Sequence, residues 1–199
     1  MARSSSASAE LERFEARVLA VAFRPSPHVG CDGLFLRHPK LCGASLQTVM
    51  DLNQIDGYLF QGSAPLGPRD TDRLLSLGVR AAVDMRAEAQ PTLLLDSTLW
   101  LPTTDGEAAT VEQLTTGIRF IEHCLSLEWG VYVYCQGGIG RSTMMVAAYL
   151  VGKRGMDVDE AIEGIQRCRP GASPSRLQAQ TAETAGLAFR AAAQGPLST

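Results

Sequence analysis

Apolar positions recur along this chain in two rhythms. Between residues 110 and 127, Val111, Leu114, Ile118, Ile121 and Leu125 step by three and four, the stripe of an amphipathic helix. Val131-Tyr132-Val133-Tyr134 is instead a β-branched and aromatic run that suits a strand. Shorter runs repeat the strand signal. Tyr58-Leu59-Phe60-Gln61 predicts a strand ended by Gly62, Val79 to Val83 a buried strand ending at Asp84, and Leu99-Trp100-Leu101 a strand before Pro102. Helices are predicted from Pro68 to Gly78, with Leu74, Leu75 and Leu77 supplying apolar contacts, and from Ser142 to Val151. Another runs from the cap Asp157, with Glu160 three residues on, to about Cys168, and a last one covers residues 175–193. Strands alternating with helices imply the α/β class, a central mostly parallel sheet of four or five strands flanked by helices.

Ahead of this alternation the pattern changes. Leu11, Phe14, Val18 and Val21 keep a helical spacing, and then Pro25, Pro27, Gly30, Gly33, Pro39 and Gly43 break the chain up. The organisation expected is an N-terminal helix and loop-rich extension over residues 1–52, a main domain over 53–193 and a flexible tail over 194–199. With 45% hydrophobic and 20% charged residues in 199, the bulk of the chain is neither disordered nor a disulfide scaffold. A net charge of −3 argues against a polyanion binder, so no nucleic-acid partner is expected. Glu10, Glu12 and Glu15 interrupt the N-terminus where a secretory leader would be apolar. No run approaches the roughly 18 apolar residues of a membrane span. The five cysteines, at 31, 42, 124, 135 and 168, form no C-x-x-C pair. These features point to a reducing, cytoplasmic location. His28, His38 and His123 lack metal-ligand spacing, so neither metal nor cofactor is expected. The oligomeric state is not encoded in any pattern we can read.

Chemistry concentrates in Val131 to Thr143, V-Y-V-Y-C-Q-G-G-I-G-R-S-T. A strand delivers Cys135 to a turn at the carboxyl edge of a sheet. Gly137, Gly138 and Gly140 let the backbone wrap with its amides inward, which makes an anion cradle. The helix that starts near Arg141 adds its positive end to the same point. Arg141, six positions after Cys135, carries a planar fork that matches two phosphate oxygens. A thiol in such a field is expected to ionise at neutral pH and to act as a nucleophile in phosphoryl transfer. No Gly-Lys-Ser/Thr follows, so the loop is not a Walker-type nucleotide loop.

Cys, five residues, Arg and Ser together resemble the signature of the cysteine-dependent protein tyrosine phosphatases, and G-G-I-G-R-S looks most like the small dual-specificity members. The resemblance covers roughly residues 55–185. It implies that Cys135 is the nucleophile. It implies that Gln136, Gly137, Gly138, Ile139, Gly140 and Arg141 bind phosphate. Ser142 would help the thiolate leave in the second step. It also implies a general-acid Asp some tens of residues upstream after a Leu-Pro pair. Leu101-Pro102-Thr103-Thr104-Asp105 fits, thirty residues before Cys135. Asp84, in Val83-Asp84-Met85-Arg86, is the second candidate, with a structural or cleft-rim role, and Asp96 is a further rival. Cys168-Arg169-Pro170-Gly171 is similar to the family's Arg-Pro segment, where Arg169 either shapes the loop or is a surface arginine.

One position departs from the family. Tyr134 stands where His usually precedes the nucleophile, and it lacks the ring nitrogen that helps tune the thiol. This keeps open a weak or inactive phosphate-binding pseudophosphatase as an alternative to an enzyme. The loop positions 136–140 carry no Lys or Arg, unlike relatives that prefer polyphosphorylated inositol lipids. A phosphotyrosine, phosphoserine or phosphothreonine protein in a shallow cleft is therefore the expected substrate, with a phosphoinositide as the alternative. Cys31, Cys42 and Cys124 are candidate redox partners of Cys135, although Cys124 lies in phase with the core-facing Ile121 and Leu125.

Overall fold

The computed structural model describes residues 50–89 and 93–194, so the helix and loops expected before residue 50, and the last five residues, lie outside it. Five strands form one sheet: β1 (Leu52–Asp56), β2 (Leu59–Gly62), β3 (Val79–Arg86), β4 (Ser97–Thr103) and β5 (Gly130–Tyr134). Their order is β1-β2-β5-β3-β4. The β1–β2 pair is antiparallel and the other three pairings are parallel, as the α/β reading requires. The helices are α1 (Pro68–Ser76), α2 (Val111–Ser126), α3 (Arg141–Tyr149), α4 (Val158–Cys168) and α5 (Arg176–Gln194).

Strand alternation splits the core into two layers. Val131, Val133 and Cys135 face one side, with Leu59, Ala81, Val83 and Met85, against Leu114, Ile118, Ile121, Met144, Met145 and Phe189. Tyr132 and Tyr134 face the other, with Phe60, Ala82, Met50 and Leu74. Cys135 therefore leaves the sheet on the side that α3 covers. All nine residues of α3 are buried, because it lies beneath α2 and α5 as well as on the sheet. Gly117 and Gly186 permit this density: a Cβ on Gly117 would come within 2.4 Å of Met145 Sδ, and one on Gly186 within 2.6 Å of Val151.

Local signals account for most boundaries. Thr110 caps α2 and exchanges bonds with Gln113 in a capping box. Asp157 caps α4 by accepting from Asp159 N. Several boundaries differ from the sequence reading. β1 was not anticipated, since L-N-Q-I-D has no clear alternation. β3 continues to Arg86. β4 runs through Pro102, which is tolerated because β4 is an edge strand with only one neighbour to donate to. α3 passes into a π turn over Leu150–Arg154, ended by Gly155. Of the three leucines predicted to pack from α1, only Leu74 is buried, whereas Leu75 and Leu77, the latter just past the helix, are exposed.

Candidate active site

The parallel strands β2, β3, β4 and β5 all end at one edge, and the loop after β5 closes over that edge before α3 begins. Its carbonyls are held from outside, one after another. Ala64 N donates to Gln136 O at 3.1 Å. Arg169 Nη2 donates to Gly137 O at 2.9 Å and its Nε to Gly138 O at 2.6 Å. Gln61 Nε2 reaches Gly138 O as well, at 3.2 Å. Thr143 Oγ1 and Ser173 N both donate to Ile139 O. A trans peptide sets its N–H opposite its C=O. With the carbonyls of residues 136–139 turned outward, the amides of Gly137, Gly138, Ile139 and Gly140 face the loop interior. Gly138 has φ +67°, and a Cβ there would lie 2.5 Å from the Gly62 backbone, so only glycine fits.

Cys135 and Arg141 stand at the two ends of this loop and both are buried. Cys135 Sγ is 3.4 Å from Ser142 Oγ. Arg141 is held by partners from the neighbouring strand ends. Its Nη1 donates to Thr103 O at 2.9 Å and to Glu88 Oε2 at 2.7 Å, and its Nη2 to Glu88 Oε1 at 2.9 Å. Asp105 Oδ1 also pairs with Nη2 at 2.9 Å, although the Asp105 side chain is 85% exposed. Arg141 Nε has no partner among the described residues and is buried. Burial works against charge on Arg141, but Glu88, Cys135 and Asp105 outweigh it and raise its pKa. Hydrogen bonding to the guanidinium in turn holds the Glu88 carboxyl down at about 2. Gln178, itself buried, fixes the loop that carries Asp105 by donating to Glu107 O at 2.8 Å.

The structure thus brings Cys135, Arg141, Ser142 and Asp105 to one edge of the sheet. Their rivals are engaged by other arginines. Asp84 is fully buried and bound to Arg86 through Nε and Nη2, at 3.0 and 2.9 Å. Asp96 pairs with Arg80 on the surface. Tyr134 stacks on Tyr132, with ring centroids 5.3 Å apart, on the face of the sheet opposite the core that holds Cys135. Burial and the Asp84 carboxylate push the Tyr134 phenol up. Arg169 is not a surface arginine: it is buried against the loop. Cys124 lies in the core, where burial pushes its thiol up to about 12, while Cys31 and Cys42 fall outside the described residues.

Glu88 and Gln61 went unnoticed in the sequence. Glu88 sits just past the carboxyl end of β3, where parallel strands present functional groups. Gln61 is the one polar side chain in the buried strand Leu-Phe-Gln-Gly, and it donates to Thr143 Oγ1 at 2.8 Å and Ser142 Oγ at 3.4 Å. A wholly buried glutamine in a four-residue strand was the available signal.

The sequence profile of the dual specificity phosphatase catalytic domain matches residues 59–184. The chain belongs to this family. Among its relatives, phosphatidylglycerophosphate phosphatase PTPMT2 of Arabidopsis thaliana is 34% identical over 127 residues, 59% of this chain and 55% of that one. The chain thus spans little more than half the length of this relative. Phosphatidylglycerophosphatase and protein-tyrosine phosphatase 1 of Rattus norvegicus is 32% identical over 139 residues, 63% of this chain and 72% of that one. The crystal structure of PTPMT1 in complex with PI(5)P superposes with a TM-score of 0.63 and 28% identity, covering 71% of this chain and 98% of that one. These likenesses show the family and its fold. No helix among the described residues is long and apolar enough to cross a membrane.

Proposed function

We propose that the chain hydrolyses phosphate monoesters through a phosphate ester formed on Cys135, and that its substrate is a lipid headgroup bearing a single phosphate. The outward-held carbonyls of the loop carry the first part. They leave four amides and the buried Arg141 fork around the Cys135 sulfur. Sγ attacks phosphorus as the ester P–O bond breaks, and Asp105 gives its proton to the leaving oxygen. Water then attacks the cysteinyl-phosphate and loses its proton to Asp105, the S–P bond breaks with Ser142 donating toward the sulfur, and inorganic phosphate leaves. Amides and Arg141 stabilise the charge on the equatorial oxygens in both steps.

The names of the relatives support the lipid, and the uncharged loop 136–140 suits one phosphate rather than several. A phosphoprotein substrate is the second reading, favoured by the family's description. Tyr134 faces away from the loop and leaves its donors in place, which supports turnover over mere binding.

The test is phosphate release, with chelator present, from phosphatidylglycerophosphate vesicles, PI(5)P vesicles and a phosphotyrosyl peptide. The expected result is fastest release from phosphatidylglycerophosphate and none from any substrate with Cys135→Ser. Faster release from the peptide overturns the lipid assignment. Release that survives Cys135→Ser overturns the covalent mechanism. A silent wild type that still binds vanadate makes the chain a binding module.

A further inference from the structure

Behind the phosphate loop, Arg169 has more partners than the two loop carbonyls. Its Nη1 donates to Asn53 Oδ1 at 2.8 Å and its Nη2 pairs with Asp51 Oδ2 at 2.8 Å. Asn53 returns a bond from Nδ2 to Cys168 O at 2.9 Å, so it grips the residue before Arg169 as well as the guanidinium. Asp51 is itself fixed by its backbone. Its N donates to Ser63 Oγ at 2.9 Å, and its O accepts from Ser63 N at 2.9 Å. Asp51 O also approaches the position that a Cβ on Gly62 would fill to 1.9 Å, and the Gly62 backbone in turn lies against Gly138.

A guanidinium can hold two peptide planes only if its own plane is held. Alone, Arg169 could rotate about its long side chain and lose the Gly137 and Gly138 carbonyls. Two oxygens, from Asp51 and Asn53, fix the far side of the fork. We infer that Asp51, just before β1, and Asn53, within it, are positioning residues for the phosphate cradle, acting through Arg169. Neither touches the reacting atoms. They orient the peptide units whose N–H groups belong to Gly138 and Ile139, and so set how well the loop binds a tetrahedral or trigonal-bipyramidal oxyanion. This rests on the phosphate-cradle reading of the loop given above. Asp51 is 64% exposed at its side chain and is joined to the main chain just before β1.

The experiment measures vanadate inhibition, kcat and KM with p-nitrophenyl phosphate for the full chain. The variants are Asp51→Ala/Asn53→Ala, Arg169→Ala, and the three changes together. Asp56→Asn serves as a control, because it removes a surface ion pair with Arg154 from the same strand. The double variant is expected to weaken vanadate binding about tenfold, the loss of charge-assisted hydrogen bonds that order a ligand site. Arg169→Ala should weaken it at least as much, and adding the Asp51 and Asn53 changes should then cost nothing further. The control should match the wild type. A double variant with wild-type vanadate affinity overturns the inference, and so does a triple variant in which the losses add. Thermal melts accompany each variant, and vanadate affinities are compared well below every Tm, so that unfolding is not read as lost binding. If the wild type itself neither turns over nor binds vanadate, the fault lies with the reading of the loop, not with the brace.

Discussion

Arg86 and Arg141 are both buried arginines at the same edge of the sheet, and they are built in opposite ways. Arg86 draws its carboxylate from two residues away on its own strand, Asp84, which is wholly buried, and its guanidinium lies over the Tyr134 ring at 5.2 Å. Nothing in that pair has room to exchange. Arg141 takes its carboxylates from Glu88 and Asp105, 44% and 85% exposed at the side chain, and keeps a buried Nε without a partner among the described residues. The first pair is a strut. The second is a cation whose two carboxylate partners sit on loops at the surface, where the proposed phosphate would take their place. Burial alone therefore does not mark a functional arginine. The exposure of its partners separates the two.

This contrast can be broken by substitution. The largest effect is expected from Arg141→Lys, which keeps the charge but loses the fork, and kcat/KM should fall about 10³-fold with little change in Tm. Asp84→Ala should do the reverse. It leaves Arg86 buried without its partner, and urea melts should show a loss of about 3–5 kcal/mol while vanadate affinity per folded molecule holds. If Asp84→Ala mainly impairs turnover, the strut and the site are not separate.

Asp105→Asn comes next, with kcat down about 10²-fold on substrates with poor leaving groups and the basic limb of the kcat profile flattened. Glu88→Gln should be smaller, about tenfold in KM, because it loosens the Arg141 fork without removing it. That variant also gives a pH test. The Glu88 carboxyl sits at about 2 against an ordinary 4.5, held there by Arg141. A depressed carboxyl stabilises the fold above its unfolded value, so the Tm advantage of wild type over Glu88→Gln should be full above about pH 4.5 and shrink as pH falls toward 2. Partial exposure of Glu88 makes this the smallest effect of the series.

The same contrast explains what could be read from the sequence. Cys135, the glycines, Arg141 and Ser142 are contiguous, and their strand and helix announce themselves by composition, so this half of the site was legible. α2 was legible because its apolar stripe follows the helical period over sixteen residues. Glu88 and Gln61 were not, because each acquires its role from a contact 53 or 82 residues away along the chain. β1 escaped because an edge strand that is half exposed on both faces has no alternation to display. Arg169 was placed in the right segment by resemblance, but only packing shows that it holds main-chain carbonyls. Pro102 misled because a proline ends a strand only where its missing N–H would be needed.

The close contact between Gly62 and Gly138 has a consequence for how this chain can vary. In a saturation scan scored by growth or activity, these two positions should form a linked pair of cold spots, since alanine at either would push its methyl into main-chain atoms that have nowhere to move. Gly137, between the same loop's Gln136 and Gly138, would meet only the Ile139 side chain at 3.3 Å. It should accept small residues. Two neighbouring letters of the most recognisable motif in the chain would then evolve at very different rates, one held by geometry and the other free to drift.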